Sequence, residues 1–125
     1  MKKSADIGFY LLYIAESCEK ILLYLRDMAQ NDFAENQMVQ DAVLRNFEII
    51  GEAAKHVPDD FRAKYPDIKW RGMAGFRDVL IHEYFGIDLV NVWNISQCDL
   101  PEMLEQIKAL PEFIAAQSSL PASEG

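Results

Sequence analysis

The sequence predicts an all-α protein, a bundle of four to five antiparallel helices, on three observations. Apolar residues recur every three or four positions through most of the chain, which is the spacing of one face of a helix. No segment shows the strict alternation of apolar and polar residues that is typical of a strand. Half of the 125 residues are apolar, which is enough to form a core and argues against disorder.

The first predicted helix carries a regular apolar seam. Its members are spaced by alternating steps of four and three, which suits packing alongside another helix: Ile7, Leu11, Ile14, Cys18, Ile21, Leu25 and Met28. Two lysines before this segment resemble the start of a signal peptide, but Asp6 interrupts the approach and no small-residue cleavage site follows. No apolar run is long enough to span a bilayer. We therefore expect a cytoplasmic protein with no membrane partner.

A second helix is predicted at about 38–56, after the polar stretch 30–37 breaks the first. Pro58 ends this helix because proline cannot continue the backbone hydrogen-bond ladder. Gly51 lies inside it, at a cost of ~1 kcal/mol relative to alanine. A close approach by a neighbouring helix would justify that cost, and a tolerated surface glycine is the alternative. The predicted apolar face consists of Val39, Val43, Ile49, Ile50, Ala53 and Val57.

The rest of the chain predicts a connector and two further helical segments. The connector contains a helical turn near 60–64, and the third helix runs from about 71–75 to Phe85, with Gly86 as its stop. Asp88 caps a fourth helix at 89–97, and helix resumes with Pro101 in a first turn. The apolar face then continues through Met103, Leu104, Ile107, Leu110 and Ile114. We expect one domain at 1–117 and a flexible tail at 118–125.

Charge is distributed unevenly along the chain. The net charge is −8, yet residues 55–77 hold six basic and three acidic side chains and so carry a net +3. A local basic surface can bind phosphates even on an acidic protein, which makes Lys69 and Arg71 candidates for contacts with RNA. A solvated loop and helix face is the alternative interpretation. Cys18 and Cys98 lie in apolar helical patterns, so we expect reduced, buried thiols and no disulfide.

The basic stretch leads into "GFRDVLIHEYF", residues 75–85, which contains the groups needed to cleave RNA without a metal. Asp78 and His82 are four apart and share a helix face, so a carboxylate could orient the imidazole. The imidazole could remove the proton of an RNA 2′-hydroxyl, whose oxygen then attacks the adjacent phosphorus. The planar guanidinium of Arg77 suits the charge that develops there. Alternatively, Arg77 and His82 belong to a surface hydrogen-bond network.

Other chemistries have less support in the sequence. His56 lies at the end of the second predicted helix, where an imidazole favours the helix dipole, and is interpreted as structural. Two histidines so far apart form no metal-ligand cluster. There is no glycine-rich phosphate loop. We therefore expect neither a metal site nor a cofactor.

The segment "RDVLIHEYF" resembles the Arg-x4-His-x-Tyr signature of HepT-like toxins in the HEPN superfamily. Arg77, His82 and Tyr84 occupy the three signature positions, and Asp78 matches the polar residue that often follows the arginine. The resemblance extends upstream through "DAVLRNFEIIGEAAKHVPDDF" and "YPDIKWRGMAGFRD" and downstream through "FGIDLVNVWNI". With the helical first segment, it covers nearly the whole chain.

The resemblance implies a HEPN-type helical bundle and a ribonuclease whose active site forms at the interface of a homodimer. Arg77 and His82 would be catalytic, with Asp78 in support. The implied antitoxin is an MntA-like nucleotidyltransferase that transfers AMP to Tyr84. Two alternatives remain at this point. One is a non-catalytic HEPN module that binds a partner nucleotidyltransferase or nucleotides, and the other is a plain helical bundle with an accidental motif.

Overall fold

The computed structural model describes residues 4–120, apart from the side chains of Ser4, Ala5 and Tyr84. It confirms the all-α class, since the described residues form only helices, turns and loops. Within this part of the chain no helix is long and apolar enough to cross a membrane. The described residues form eight α-helices, because short helices occupy some of the predicted connectors. They are α1 (Ser4–Leu25), α2 (Gln30–Ala34), α3 (Gln37–Lys55), α4 (Asp59–Lys64), α5 (Trp70–His82), α6 (Leu89–Gln97), α7 (Asp99–Lys108) and α8 (Pro111–Ser118).

Helix α3 lies at the centre of the fold, with α1 and α5 as its main neighbours. The predicted seam of α1 is confirmed, since its members from Ile7 to Leu25 are all buried. Met28 follows the end of the helix and is half-buried. Helices α7 and α8 also contact α1. The seam therefore serves as the long wall against which α3, α7 and α8 pack.

Helices α3 and α5 approach each other closely at Gly51. A Cβ atom placed on Gly51 would overlap the Cβ of Arg77 and lie 2.7 Å from the carbonyl oxygen of Met73. One turn earlier, Phe47 packs edge to face on Phe76, with ring centroids 5.1 Å apart. The close-approach interpretation of Gly51 is therefore confirmed. The glycine allows the backbone of α5 to lie against α3 at the first residue of the motif.

Two boundaries in the first two thirds of the chain differ from the prediction. The polar stretch 30–37 contains α2, because Phe33 is fully buried and packs against Trp93 at 5.8 Å between ring centroids. Helix α5 ends at His82 rather than at Phe85, and a 3₁₀ turn, Tyr84–Gly86, follows it. The predicted cap of α6 is confirmed, since Asp88 Oδ1 accepts a hydrogen bond from the backbone of Asn91 at 3.2 Å.

The C-terminal helices correct two further expectations. The predicted apolar face included Ile114, which was wrong, because this side chain is exposed. A new helix begins at Pro111, and in it Phe113 is the buried residue. The expectation that Cys98 is buried was also wrong, since this thiol is free and exposed at the junction of α6 and α7. Cys18 is buried as expected. Helix α8 ends at Ser118, and 121–125 lie outside the described residues. The division at 117 therefore stays a prediction.

Candidate active site

The motif occupies the C-terminal half of α5 and the turn after it. Leu80 is fully buried and anchors this part of the helix in the core. Val79 and Ile81, on either side of Leu80, are 45% and 44% exposed. His82 is the last residue of α5 and lies at the surface. The side chain of Tyr84 is outside the described residues, and its backbone begins the 3₁₀ turn.

Arg77 is held between two carboxylates. Its Nη2 lies 3.1 Å from Glu52 Oε1, and its Nη1 lies 3.2 Å from Asp78 Oδ1. About a quarter of the side chain, 27%, is exposed. Because Glu52 is on α3 and Asp78 is on α5, the guanidinium is fixed by both helices of the close approach. This arrangement gives the cation a defined position at the surface rather than a freely moving one.

The carboxylate of Asp78 faces α3 and not the imidazole. Lys55 Nζ lies 2.5 Å from Asp78 Oδ1, the same oxygen that Arg77 approaches. The hydrogen bond from Lys55 above all, together with that from Arg77, holds the pKa of Asp78 below its usual range. The sequence-based expectation that this carboxylate orients His82 was wrong, because Lys55 and Arg77 bind it. Any supporting role of Asp78 is therefore indirect.

His82 is oriented by the backbone carbonyl group of Asp78. Its Nδ1 lies 2.8 Å from the carbonyl oxygen of Asp78. A carbonyl oxygen can only accept a hydrogen bond, so this contact assigns the proton of the neutral ring to Nδ1. The other nitrogen, Nε2, then carries the lone pair and can accept a proton. The exposed imidazole therefore has the tautomer that a general base needs, with the lone pair on Nε2.

A cleft of about 500 Å³ lies over α3, between α1 and α5, and Arg77 forms part of its wall. Glu52 and Lys55 were not among the predicted site residues, and His56 was interpreted as structural. In the structure His56 Nε2 lies 3.3 Å from Glu52 Oε2, and its ring stacks on Tyr10. The signal was present in the spacing, because Glu52, Lys55 and His56 share one face of α3 directly after Gly51. Lys55 binds Asp78, while Glu52 and His56 line the cleft.

Lys69 and Arg71 lie away from these groups. They stand at the start of α5, and a rise of 1.5 Å per residue places Arg71 about 16 Å along the axis from His82. Lys69 Nζ lies 3.5 Å from Asp99 Oδ1, and Arg71 is exposed. The structure does not bring either residue together with the motif. Their contact with RNA stays a prediction.

Most other cations of the basic stretch also have partners. Arg62 donates to the carbonyl oxygens of Ala54 and Val57, and Lys64 pairs with Glu112 at 3.2 Å. Among the described residues, no group of three or more histidine, cysteine, aspartate or glutamate side chains could hold a metal ion.

Fold and site together define an all-helical protein that presents an arginine and an oriented histidine from one helix. The family model described as "Ribonuclease HepT-like" matches residues 14–110. The chain belongs to this family, and the prediction of a ribonuclease is confirmed.

Two relatives show the extent of the similarity. "Probable ribonuclease HepT" of Thermococcus cleftensis is 43% identical over 101 residues, which are 81% of this chain and 92% of that protein. "Putative RNase MJ1380" of Methanocaldococcus jannaschii is 39% identical over 103 residues, or 82% and 94% of the two chains. No solved structure matches the chain at a significant level. The family match at 14–110 covers α3 and α5, which carry Arg77, His82 and the carboxylates that bind Arg77.

Proposed function

We propose that this chain is the toxin of a toxin–antitoxin pair, a metal-independent endoribonuclease that acts on RNA in the cytoplasm. The observation that carries the proposal is the contact of His82 Nδ1 with the Asp78 carbonyl, because it leaves Nε2 as a base on the helix that also presents Arg77. Nε2 takes the proton of a 2′-hydroxyl, and the 2′-oxygen attacks the adjacent phosphorus. The bond to the 5′-oxygen breaks, that oxygen takes a proton from water, and a 2′,3′-cyclic phosphate remains.

The proposed role of Arg77 is to bind the phosphate that is attacked. Negative charge develops on the phosphoryl oxygens during the attack, and a guanidinium fixed beside them stabilises it. In the structure the guanidinium pairs with Glu52 and Asp78, whose side chains are both about half exposed. Ion pairs of this kind are worth only ~0–1 kcal/mol, so a phosphate can replace one carboxylate at little cost. The other carboxylate then keeps the guanidinium in place.

A homodimer would complete the site. Two exposed apolar residues lie beside the motif, namely Val79 and the wholly exposed Phe85. Burying them against the same surface of a second chain would place two copies of Arg77 and His82 around one cleft. Light scattering at micromolar concentration should then give twice the chain mass of 14.3 kDa. A monomer that cleaves RNA at full rate would contradict the shared site.

The proposed antitoxin is an MntA-like nucleotidyltransferase that transfers AMP to Tyr84. The signature position and the place of its backbone, two residues after His82, support this part of the proposal. An added phosphodiester would compete with RNA for Arg77, and the nucleoside would block the approach to His82. Mass spectrometry after co-expression should place AMP on Tyr84 and find none on a Tyr84→Phe variant. AMP on another tyrosine would refute the assignment.

Replacement of the two motif residues tests catalysis. Arg77→Ala and His82→Ala should each lower the rate of RNA cleavage at least ~100-fold, since a general base contributes about 10²–10⁴-fold. The assay contains EDTA, and circular dichroism checks that helical content is unchanged. Arg26→Ala removes an exposed arginine far from the motif and is the matched control. Full activity of His82→Ala would instead favour a non-catalytic module that binds a partner nucleotidyltransferase or nucleotides.

A further inference from the structure

We propose that the cleft beside Arg77 is a nucleobase subsite, in which one base of the RNA stacks against His56 and Tyr13. The proposal rests on the proposed function and deepens it, because it names the part of the substrate that binds next to the phosphate. The cleft is floored by α3 and walled by α1 and α5. Two of its aromatic side chains, Tyr13 and His56, are exposed, whereas Tyr10 is half-buried and packs against the core.

The His56 ring is held as a platform. It stacks on Tyr10 with ring centroids 5.1 Å apart and an angle of 11° between the planes. Its Nε2 is fixed at 3.3 Å from Glu52, and 45% of the side chain remains exposed. Because Tyr10 stacks on one face of the ring, a base could stack only on the opposite face. A planar base could stack there without any rearrangement of the imidazole.

Tyr13 and Ile81 provide the facing surfaces of the cleft. Tyr13 lies one turn after Tyr10 on α1 and is 53% exposed. Ile81 lies one turn after Arg77 on α5 and is 44% exposed. A cleft with aromatic groups on one wall and an apolar group on the other suits the flat, weakly hydrated face of a nucleobase. Stacking of this kind accepts any base, because every base presents a π face.

The position of Arg77 connects this platform to the phosphate. Glu52 contacts Arg77 through Oε1 and His56 through Oε2. The guanidinium and the imidazole are therefore separated by one carboxylate group, which is comparable to the separation of phosphate and base within one nucleotide. A second cation, Arg45, also lines the cleft, where its Nη1 lies 3.5 Å from Glu48 Oε1. Aromatic side chains beside the partly exposed guanidinium of Arg77 suit a nucleotide, which presents a flat base and a phosphate, better than a purely apolar partner surface.

Binding of an uncleavable RNA tests the subsite independently of catalysis. The probe is a fluorescein-labelled octamer of 2′-fluoro-adenosine, which lacks the nucleophilic hydroxyl. It is compared with a series of octamers in which a single residue, at a different position in each, is abasic. For the wild-type protein, anisotropy should show a loss of affinity of about 5- to 100-fold at one abasic position, from the usual strength of base stacking. In the Tyr13→Leu and His56→Leu variants, an abasic residue at that position should no longer lower the affinity. Tyr24→Leu alters an exposed tyrosine on the same helix outside the cleft and should behave as the wild type.

Two results would overturn the proposal. One is a scan in which the wild type and the Tyr13 and His56 variants lose the same affinity at every abasic position. The other is light scattering that shows these variants, but not Tyr24→Leu, to have lost an assembly of two chains, since the cleft would then be an interface between copies. A wild type that shows the position-specific loss but cannot cleave ordinary RNA would support the subsite and contradict the proposed catalysis.

Discussion

The imidazole of His82 is oriented by a backbone carbonyl, and this predicts an unusual tolerance at Asp78. Asp78→Asn keeps the backbone that accepts from Nδ1 and removes only the charge that Lys55 and Arg77 share. We expect RNA cleavage to fall less than ~10-fold, compared with at least ~100-fold for loss of a general base. Cleavage rates of the two variants at neutral pH, measured side by side, check this. A loss as large as that of His82→Ala would mean that the carboxylate itself acts.

The residues of the motif could be identified from the sequence, whereas their partners could not. A spacing of four places both the carboxylate and the carbonyl of Asp78 within reach of His82. Lys55, on α3, binds the carboxylate, and His82 contacts the carbonyl oxygen. Position along one helix gives no information about a side chain that arrives from another. For the same reason Glu52 was not recognised as the partner of Arg77.

At the scale of the helices, two glycines should respond in opposite directions to alanine. Gly51→Ala forces α3 and α5 apart, because the new methyl group overlaps Arg77 and the carbonyl of Met73, so the free energy of unfolding should fall by ~1–3 kcal/mol. Gly75 lies in α5, and a methyl group added to it would have no neighbouring atom within 4 Å. Gly75→Ala should therefore raise the free energy of unfolding by ~0.5–1 kcal/mol. Urea titration measures both, and a stabilised Gly51→Ala would contradict the close packing.

Helical periodicity predicted the buried face of each long helix better than it predicted where one helix ends and the next begins. The seam of α1 and the burial of Val43 and Ile50 on α3 follow directly from spacing. Spacing does not reveal that the chain turns at Pro111, which is why Ile114 was assigned to the wrong side. The short helix α2 was missed because it has a single buried residue, Phe33, and one apolar residue forms no pattern.

For the whole molecule, charge distribution restricts how RNA can bind. The chain carries a net charge of −8, and its basic stretch is largely occupied by internal partners such as Asp99 and Glu112. Long-range attraction of a polyanion is therefore weak. Under the proposed function, RNA must be held by short-range contacts at Arg77 and in the adjacent cleft. The all-α class followed from composition and periodicity alone, whereas this pairing of the cations depends on the tertiary fold.

The chemistry of the cleaved ends tests the proposed reaction most directly. The purified protein is incubated in EDTA with an RNA oligonucleotide, and with a copy that carries a single 2′-deoxy residue on the 5′ side of the cleaved linkage. We expect the RNA to give a 2′,3′-cyclic phosphate and a 5′-hydroxyl end by mass spectrometry, and the deoxy linkage to stay intact, because it has no attacking oxygen. Cleavage at the deoxy linkage, or products with 3′-hydroxyl and 5′-phosphate ends, would contradict attack by the 2′-oxygen.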